Sequence, residues 1–297
     1  MNQISKLNMQ ITDSVAPLTP LQKLNLTDDF LFDVTTENLE ASKIIIELSL
    51  GITIKEIAWK EGQKVIHNLP GKRGIRLDFY VEDSDGRIFN VEMQKRNEGN
   101  IPKRTRFYQG LVDAPLLKSG ERGFDDLNPL YIVVICDFDL YGYGNYRYTF
   151  TNRCHEIDEL ELGDASTKII LNTKGKNTET VEQSLIDFLN YVSHSSFDTL
   201  TPGCDDRLFH LHDIITQIKS SEQMEVTYMK MEERDRIIRE EAHETGKLEG
   251  KLETILSFIR IQTQKGTSEA ALLSMVQEYF LLNEEDACQL IRRSKIS

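Results

Sequence analysis

Apolar and polar positions alternate most regularly between residues 75 and 94. Ile75, Leu77, Phe79 and Val81 interleave with Arg76, Asp78, Tyr80 and Glu82, and Phe89, Val91 and Met93 with Asn90, Glu92 and Gln94. A period of two predicts two half-buried strands. The residues between them, Ser84-Asp85-Gly86, suit a three-residue hairpin loop with Gly86 in the left-handed position. That loop pairs Asp83 with Arg87, Glu82 with Ile88, Tyr80 with Asn90 and Asp78 with Glu92. A two-residue Asp85-Gly86 loop would shift the register by one and put the two apolar sets on opposite faces.

Other segments follow from the same kind of pattern. Residues 27–51 carry acids early, an apolar cluster late and a terminal Gly51, which predicts one helix or two short ones. Residues 52–68 are rich in Ile and Val and read as strands on either side of an Glu61-Gly62-Gln63 turn. Residues 69–74, LPGKRG, form a break. Residues 101–120 predict an amphipathic helix with Pro102 in its first turn and Ile101, Phe107, Leu111 and Leu116 or Leu117 on its apolar side. The apolar run 130–138, LYIVVICDF, predicts a strand buried on both faces. YRYTFTNR and STKIILNT read as further strands, so the first 175 residues predict a mixed α/β domain with a central sheet.

Beyond Lys176 the pattern becomes helical. Residues 222–253 contain ten acids and six bases, densely mixed, as on an exposed, salt-bridged helix or coiled-coil arm. Gly246 and Gly250 recur four apart, but so charged a segment is not a membrane dimerisation motif. Three parts result: a loosely ordered lead over 1–24, an α/β domain over 25–175, and a helical region over 176–297. The last contains the charged helix (222–263) and a terminal helical hairpin (267–295).

Composition narrows the chemistry. The N-terminus lacks the basic start and apolar core of a secretory signal, and no apolar run approaches the roughly 20 residues that span a membrane, which makes a cytoplasmic protein the expectation. Cys136, Cys154, Cys204 and Cys288 are scattered, as befits small buried residues in a reducing compartment and not a zinc ribbon or disulfide framework. The net charge of −13 argues against a general polyanion binder, so nucleic-acid binding needs a local basic patch. One exists: Lys95, Arg96, Lys103, Arg104 and Arg106 lie within twelve residues, interrupted only by Glu98. No G-x-x-x-x-G-K-[ST] or G-x-S-x-G motif is present, which argues against an NTPase or an α/β hydrolase. His210 and His212 diverge at a two-residue helical spacing, and Trp59 and the tyrosines of 139–148 read as core or loop packing.

The predicted register creates one conflict. Asp78 and Glu92 face each other with Cβ atoms about 4.5–5.5 Å apart, and Gln94 lies about 7 Å further along the same face. Two carboxylates that close repel unless one is protonated or a cation lies between them. A divalent ion with oxygen ligands, Mg2+ or Mn2+, would relieve the repulsion. An ion pair from Arg76, Arg87 or Lys95 to one acid would also relieve it.

The order of these pieces resembles the PD-(D/E)XK nuclease superfamily, and more narrowly the recombination-promoting nuclease and transposase family of bacteria. The matching segments are TDDFLF, RLDFYVEDSDGRIFNVEMQ, RTRFYQGLVD and LYIVVICDFDLY, with TGKLEGKLEG in a charged helical tail. The resemblance covers roughly residues 25 to 175. It implies a restriction-endonuclease-like core, a four-stranded mixed sheet flanked by helices, and Mg2+-dependent (or Mn2+-dependent) hydrolysis of DNA phosphodiesters. It makes Asp78 and Glu92 the metal ligands and puts Gln94 where the superfamily usually has a lysine that orients water and offsets charge. A neutral glutamine can hold water but supplies no charge. The resemblance also implies an acid from the first helix, for which Asp29, Glu40 and Glu47 are candidates. It gives Lys95, Arg96, Lys103, Arg104 and Arg106 a role as phosphate contacts that position DNA without reading bases. The expected protein is thus a DNA endonuclease, dimeric through its C-terminal helices. The rival is an inactive nuclease fold that binds DNA or protein.

Overall fold

The computed structural model describes residues 18–62, 65–66, 75–76, 79–117 and 123–294, with backbone only at 59–62, 65–66 and 75–76. Eight strands occur among them: β1 (Ile57–Gly62), β2 (Val65–Ile66), β3 (Ile75–Arg76), β4 (Phe79–Asp83), β5 (Ile88–Gln94), β6 (Leu130–Cys136), β7 (Arg147–Phe150) and β8 (Ser166–Asn172). The helices are α1 (Asp29–Glu37), α2 (Leu39–Leu50), α3 (Ile101–Asp113), α4 (Gln183–Ser193), α5 (Asp206–Lys219), α6 (Glu222–Gln264), α7 (Glu269–Phe280) and α8 (Glu284–Ser294). By contact the chain divides into two compact units, residues 1–226 and 227–297. Thus α4 and α5, helical in pattern like the tail, belong to the first unit and pack on α1 and α2.

In the first unit six strands form one mixed sheet in the order β1-β4-β5-β6-β8-β7, and β2 and β3 form a separate antiparallel pair. β5, β6 and β8 run parallel, and β1, β4 and β7 add antiparallel neighbours. The resemblance implies four strands. The central four, β4-β5-β6-β8, fit that core, and β1 and β7 extend it at both edges. No turn interrupts β1 at Glu61-Gly62: Glu61 pairs with Tyr80 and Gly62 with Phe79. The register there obeys the same sum of residue numbers as Val65 with Arg76, so pairing to the partner strand outweighs the local turn signal of a glycine. Segment LPGKRG falls outside the described residues.

The hairpin forms as the alternation requires. Phe79 pairs with Val91, Tyr80 with Asn90, Val81 with Phe89 and Glu82 with Ile88. Gly86 has φ +75°, a conformation in which a side chain is strained. Asp83 stabilises the loop, its carboxylate accepting from the backbone N–H groups of Asp85 (3.0 Å) and Arg87 (2.9 Å). Arg87 returns a side-chain bond to Asp83 at 2.7 Å. Two helices, not one, fill residues 27–51. Asn38 separates them by capping α2 through the N–H groups of Glu40 and Ala41, and Gly51 ends it at φ +68°.

Both faces of the sheet are covered. Phe79, Val81, Phe89, Val91 and Met93 are buried, and Phe32 of α1 meets Phe79 with ring centroids 6.0 Å apart. On the other face Ile101, Tyr108, Leu111 and Val112 of α3 pack on Tyr80, Ile88, Ile132, Val134 and Ile170. Phe107, expected on that apolar side, is 48% exposed. The reason is angular: at 100° per residue Tyr108 comes within about 20° of Ile101, and Phe107 stands about 120° away.

The second unit, taken by itself, packs Ile255 and Ile259 of α6 with Leu272 and Val276 of α7 and Ala287 and Ile291 of α8. The charged stretch of α6 carries the expected pairs three and four residues apart, Arg236 with Glu233 (2.6 Å) and Glu240 (2.9 Å), and Lys247 with Glu244 (3.1 Å). No helix among the described residues is long and apolar enough to cross a membrane.

The orientation of α3 is directly testable. Tyr108→Ala should lower the unfolding free energy by about 3–5 kcal/mol, and Phe107→Ala should change it by no more than about 0.5 kcal/mol. Chemical denaturation measures both, and equal costs would mean that α3 presents a different face to the sheet.

Candidate active site

The carboxyl ends of the three parallel strands coincide, with Gln94 of β5 beside Cys136 of β6, and Cys136 beside Asn172 of β8. Open α/β sheets bind ligands at this end. Asn90, Glu92 and Gln94 occupy alternate positions of β5 and so form one column on the α3 face. This polar face of the hairpin is not a solvent face. Asn90 is fully buried and Glu92 is 1% exposed.

A carboxylate so enclosed needs hydrogen bonds and a nearby cation. Of the basic residues weighed from sequence, Arg87 is held by Asp83, and Lys95 pairs with Asp28 at 2.6 Å. The side chain of Arg76, like Asp78 as a whole, lies outside the described residues. A cation reaches Glu92 from α3: the Arg104 guanidinium places Nη2 3.4 Å from Glu92 Oε2. Its Nη1 donates to Gln94 Oε1 at 3.0 Å, and its Nε donates to the Tyr108 hydroxyl at 2.9 Å. The guanidinium carbon also lies 5.5 Å from the centre of the Tyr108 ring, within cation–π range. Burial works against the charge of Arg104, but Tyr108 and Glu92 outweigh it and raise its already high pKa. Gln94 is fixed from its other end, its Nε2 donating to the Met93 carbonyl at 2.6 Å.

Asn90 completes the column. Its Nδ2 stands 3.5 Å from Glu92 Oε1. Its Oδ1 is buried with no hydrogen-bond partner among the described residues. A buried amide oxygen left so is costly unless water or an ion meets it. The column thus holds a carboxylate and an amide oxygen, hard donors of the kind that fit Mg2+ or Mn2+, although it is Nδ2 of Asn90 that faces Glu92. Among the described residues no three His, Cys, Asp or Glu side chains gather at metal-binding distances.

The other candidates are dispersed. Lys103, Arg106 and Arg96 are exposed, and no ion pair engages them among the described residues. Asp29 is exposed at the start of α1, and Glu40 stands 4.0 Å from His210. Glu47 is buried, its carboxylate accepting from Ile54 N (2.7 Å) and Arg207 Nη1 (3.2 Å), so it ties α2 to α5. The acid near the first helix that meets the end of β5 is Asp28, through Lys95. His212 is half-buried with Nδ1 2.9 Å from the Tyr191 hydroxyl, and burial lowers its pKa. Tyr141, in the loop after β6, packs edge to face at 5.0 Å on Tyr148 of β7. All four cysteines are free. Burial pushes the Cys136 thiol up to about 12, against a smaller opposing pull from Arg104, so it stays a neutral packing group.

Beside this column the sheet end is locked to α4. Asp137 Oδ1 accepts from Thr173 Oγ1 (2.7 Å), Lys174 Nζ (2.7 Å) and Ser193 Oγ (2.8 Å), and the Asp137 N–H donates to the Gln94 carbonyl at 3.0 Å. Burial alone would raise the Asp137 pKa, but the bonds from Lys174, Thr173 and Ser193 outweigh it and hold the carboxyl below its ordinary value.

A mixed sheet, a hairpin ending in Glu-x-Gln and a buried acid at the strand ends narrow the family sharply. Residues 50–174 match the family described as PD-(D/E)XK nuclease family transposase. The match spans the hairpin, α3 and β6, which surround Glu92, and β8 beyond β6. The mixed sheet and the C-terminal helices accord with a PD-(D/E)XK core. No curated protein and no solved structure matches the chain.

Sequence reasoning missed Asn90 and the inward role of Arg104. A signal for the second was present, since Arg104, Tyr108 and Leu111 follow one another at helical spacings of four and three on the face that Ile101 begins.

Glu47 and Glu92 should behave as different kinds of acid. Glu47→Ala should cost about 2–3 kcal/mol of stability, because it leaves the Ile54 N–H and Arg207 without their acceptor. The loss should be the same with and without Mg2+, as thermal unfolding in metal and in chelator would show. A metal-dependent loss would bring Glu47 into the site.

Proposed function

We propose that the chain is a divalent-metal-dependent endodeoxyribonuclease acting in recombination or on mobile DNA. One observation carries the reading: the column Asn90–Glu92–Gln94 towards the carboxyl ends of parallel strands, with an enclosed carboxylate and, from the same strand, an amide oxygen that has no partner among the described residues. The observed pairs Tyr80 with Asn90 and Glu82 with Ile88 are those from which the sequence argument faces Asp78 with Glu92. On this reading Asp78 and Glu92 hold Mg2+ or Mn2+. The bound ion supplies polarisation of a phosphoryl oxygen and a water of lowered pKa.

The chain's own residues supply the rest. Gln94, pinned by Arg104 and by the Met93 carbonyl, has the fixed orientation that a water-positioning group needs. Water forms a new bond to phosphorus and loses a proton to solvent. The bond to the leaving sugar oxygen breaks with its electron pair, and that oxygen is protonated. Lys95, Arg96, Lys103 and Arg106 lie at the end of β5 and on α3, where they hold the DNA backbone without reading sequence. Against a net charge of −13 this small cationic surface makes binding local and strongly salt-dependent. A homodimer through the C-terminal helices brings two sites to two strands. Ile237, Ile238 and Leu248, all exposed on α6, support it.

A second reading, an inactive nuclease fold that binds DNA or protein, is favoured by one observation. Arg104 already places a cation 3.4 Å from Glu92, where it meets part of the demand that a metal would meet.

Plasmid nicking and linearisation in Mg2+, Mn2+ or chelator separate the two. The wild type should cut only with metal, and Asp78→Asn and Glu92→Gln should each lose more than about 100-fold in rate. In parallel, metal at 100 times its Kd should stabilise the wild type by about 2.7 kcal/mol, and neither variant should show this gain. A folded wild type that binds DNA but cuts none of its forms would establish the second reading instead.

A further inference from the structure

We infer that Arg104 supplies, from α3, the positive charge that Gln94 does not bring to β5, and that it exchanges its contact with Glu92 for the scissile phosphate when metal occupies Glu92. This rests on the nuclease reading of the same site and assigns the group that offsets the charge of its transition state.

The geometry of the guanidinium carries the inference. Three of its nitrogens are engaged, and unequally. Nε on the Tyr108 hydroxyl (2.9 Å) and Nη1 on Gln94 (3.0 Å) are at full hydrogen-bond distance. Nη2 on Glu92 is at 3.4 Å, well beyond the roughly 2.7–2.9 Å of a strong bond between charged groups. The contact with Glu92 is therefore the loosest of the three hydrogen bonds, although it joins opposite full charges; the other carboxylate near the guanidinium, the exposed Glu98, stands 4.0 Å from Nη1 and leaves Nη2 to Glu92. Tyr108 is buried and stacks against the guanidinium, so the position of Arg104 is set by α3 and Gln94, with the Nη2 arm left to its carboxylate. Loss of Glu92 to another cation leaves that arm charged, aimed and unpaired beside the same carboxylate. A planar fork in this position suits a phosphate better than a lysine does.

The contrast with the other bases sharpens the assignment. Lys95 turns to Asp28, and Lys103 and Arg106 face solvent on the outer side of α3. Arg104 is the basic side chain that touches both Glu92 and Gln94 among the described residues. It thus acts in two ways. Without metal it shields an enclosed acid, and with substrate it stabilises the charge that accumulates on the phosphoryl oxygens.

The test compares wild type, R104Q, R104K and E92Q as full-length proteins, using Mn2+ binding followed by electron paramagnetic resonance alongside steady-state DNA cleavage. Removal of a like charge beside the ion should make R104Q bind Mn2+ at least about threefold more tightly, while kcat falls about 100-fold or more and KM moves by less than about threefold. R104K keeps the charge without the fork and should fall between R104Q and wild type in kcat. Circular dichroism and melting in chelator establish that each variant is folded. If R104Q unfolds, R104K carries the comparison, with tighter or equal Mn2+ binding and a kcat below wild type expected. An R104Q that cleaves within about threefold of wild type, an R104Q that binds Mn2+ more weakly, or an R104K no faster than R104Q overturns the role of Arg104 while the nuclease reading stands. Unaltered Mn2+ binding in E92Q, or a wild type that cleaves no DNA, overturns the nuclease reading itself, and the role of Arg104 falls with it.

Discussion

A carboxylate almost sealed from water inside a sheet is the constraint around which this end of the molecule is organised. Glu92 lies on the central side of β5, covered by α3, and desolvating an ionised carboxylate costs several kcal/mol unless charge and hydrogen bonds compensate. Part of the compensation, among the described residues, is local. Asn90 approaches from the same strand, and Arg104 approaches from the helix that leaves the strand and crosses over the sheet. Stability alone seldom retains such an arrangement, since an apolar residue of similar volume would do as well or better. The burial of Glu92 is thus more readily understood through chemistry than through packing.

The fold arranges this chemistry economically. Because β5, β6 and β8 run parallel, their carboxyl ends meet at Gln94, Cys136 and Asn172, and the loops leaving them surround one place. Asp137, after β6, binds Thr173 and Lys174, after β8, and through Ser193 anchors the strand ends to α4. The apolar ridge of α3, at Ile101, Tyr108, Leu111 and Val112, fixes the rotation of the helix and with it the inward aim of Arg104. Packing and site geometry are therefore one problem here. A change of helix rotation would expose Tyr108 and withdraw the guanidinium together.

Much of this is legible without coordinates. The strict alternation around Ser84-Asp85-Gly86 specifies the hairpin register, because a slip by one would put Phe79 and Val81 on the opposite face from Phe89 and Val91. The capping of α2 by Asn38 and its end at Gly51 follow from local backbone chemistry, and LYIVVIC is too uniformly apolar to be anything but an interior element. Three features were not legible, each for a physical reason. The Glu61-Gly62 dipeptide resembles a turn, but its backbone pairs with Tyr80 and Phe79, and long-range pairing prevails over a local preference. The choice between Phe107 and Tyr108 for the inner face of α3 rotates the helix by about 100°, and with Phe107 inside, Arg104 would stand about 60° from it and the Tyr108 hydroxyl that orients the guanidinium would turn away from the sheet. The partners of Glu47, a candidate acid on α2, could not be read locally either, since they are the Ile54 N–H and Arg207, the latter 160 residues away in sequence.

The central claim is that Glu92 is a metal ligand shared with the site's own arginine. It is tested most directly by anomalous X-ray scattering from crystals grown with Mn2+. The expected result is an anomalous peak about 2.1 Å from a Glu92 carboxylate oxygen, with Arg104 Nη2 withdrawn from that oxygen and its bonds to Tyr108 and Gln94 kept. Crystals diffracting well at saturating Mn2+, with no peak at Glu92 and Arg104 still seated on the carboxylate, would contradict it.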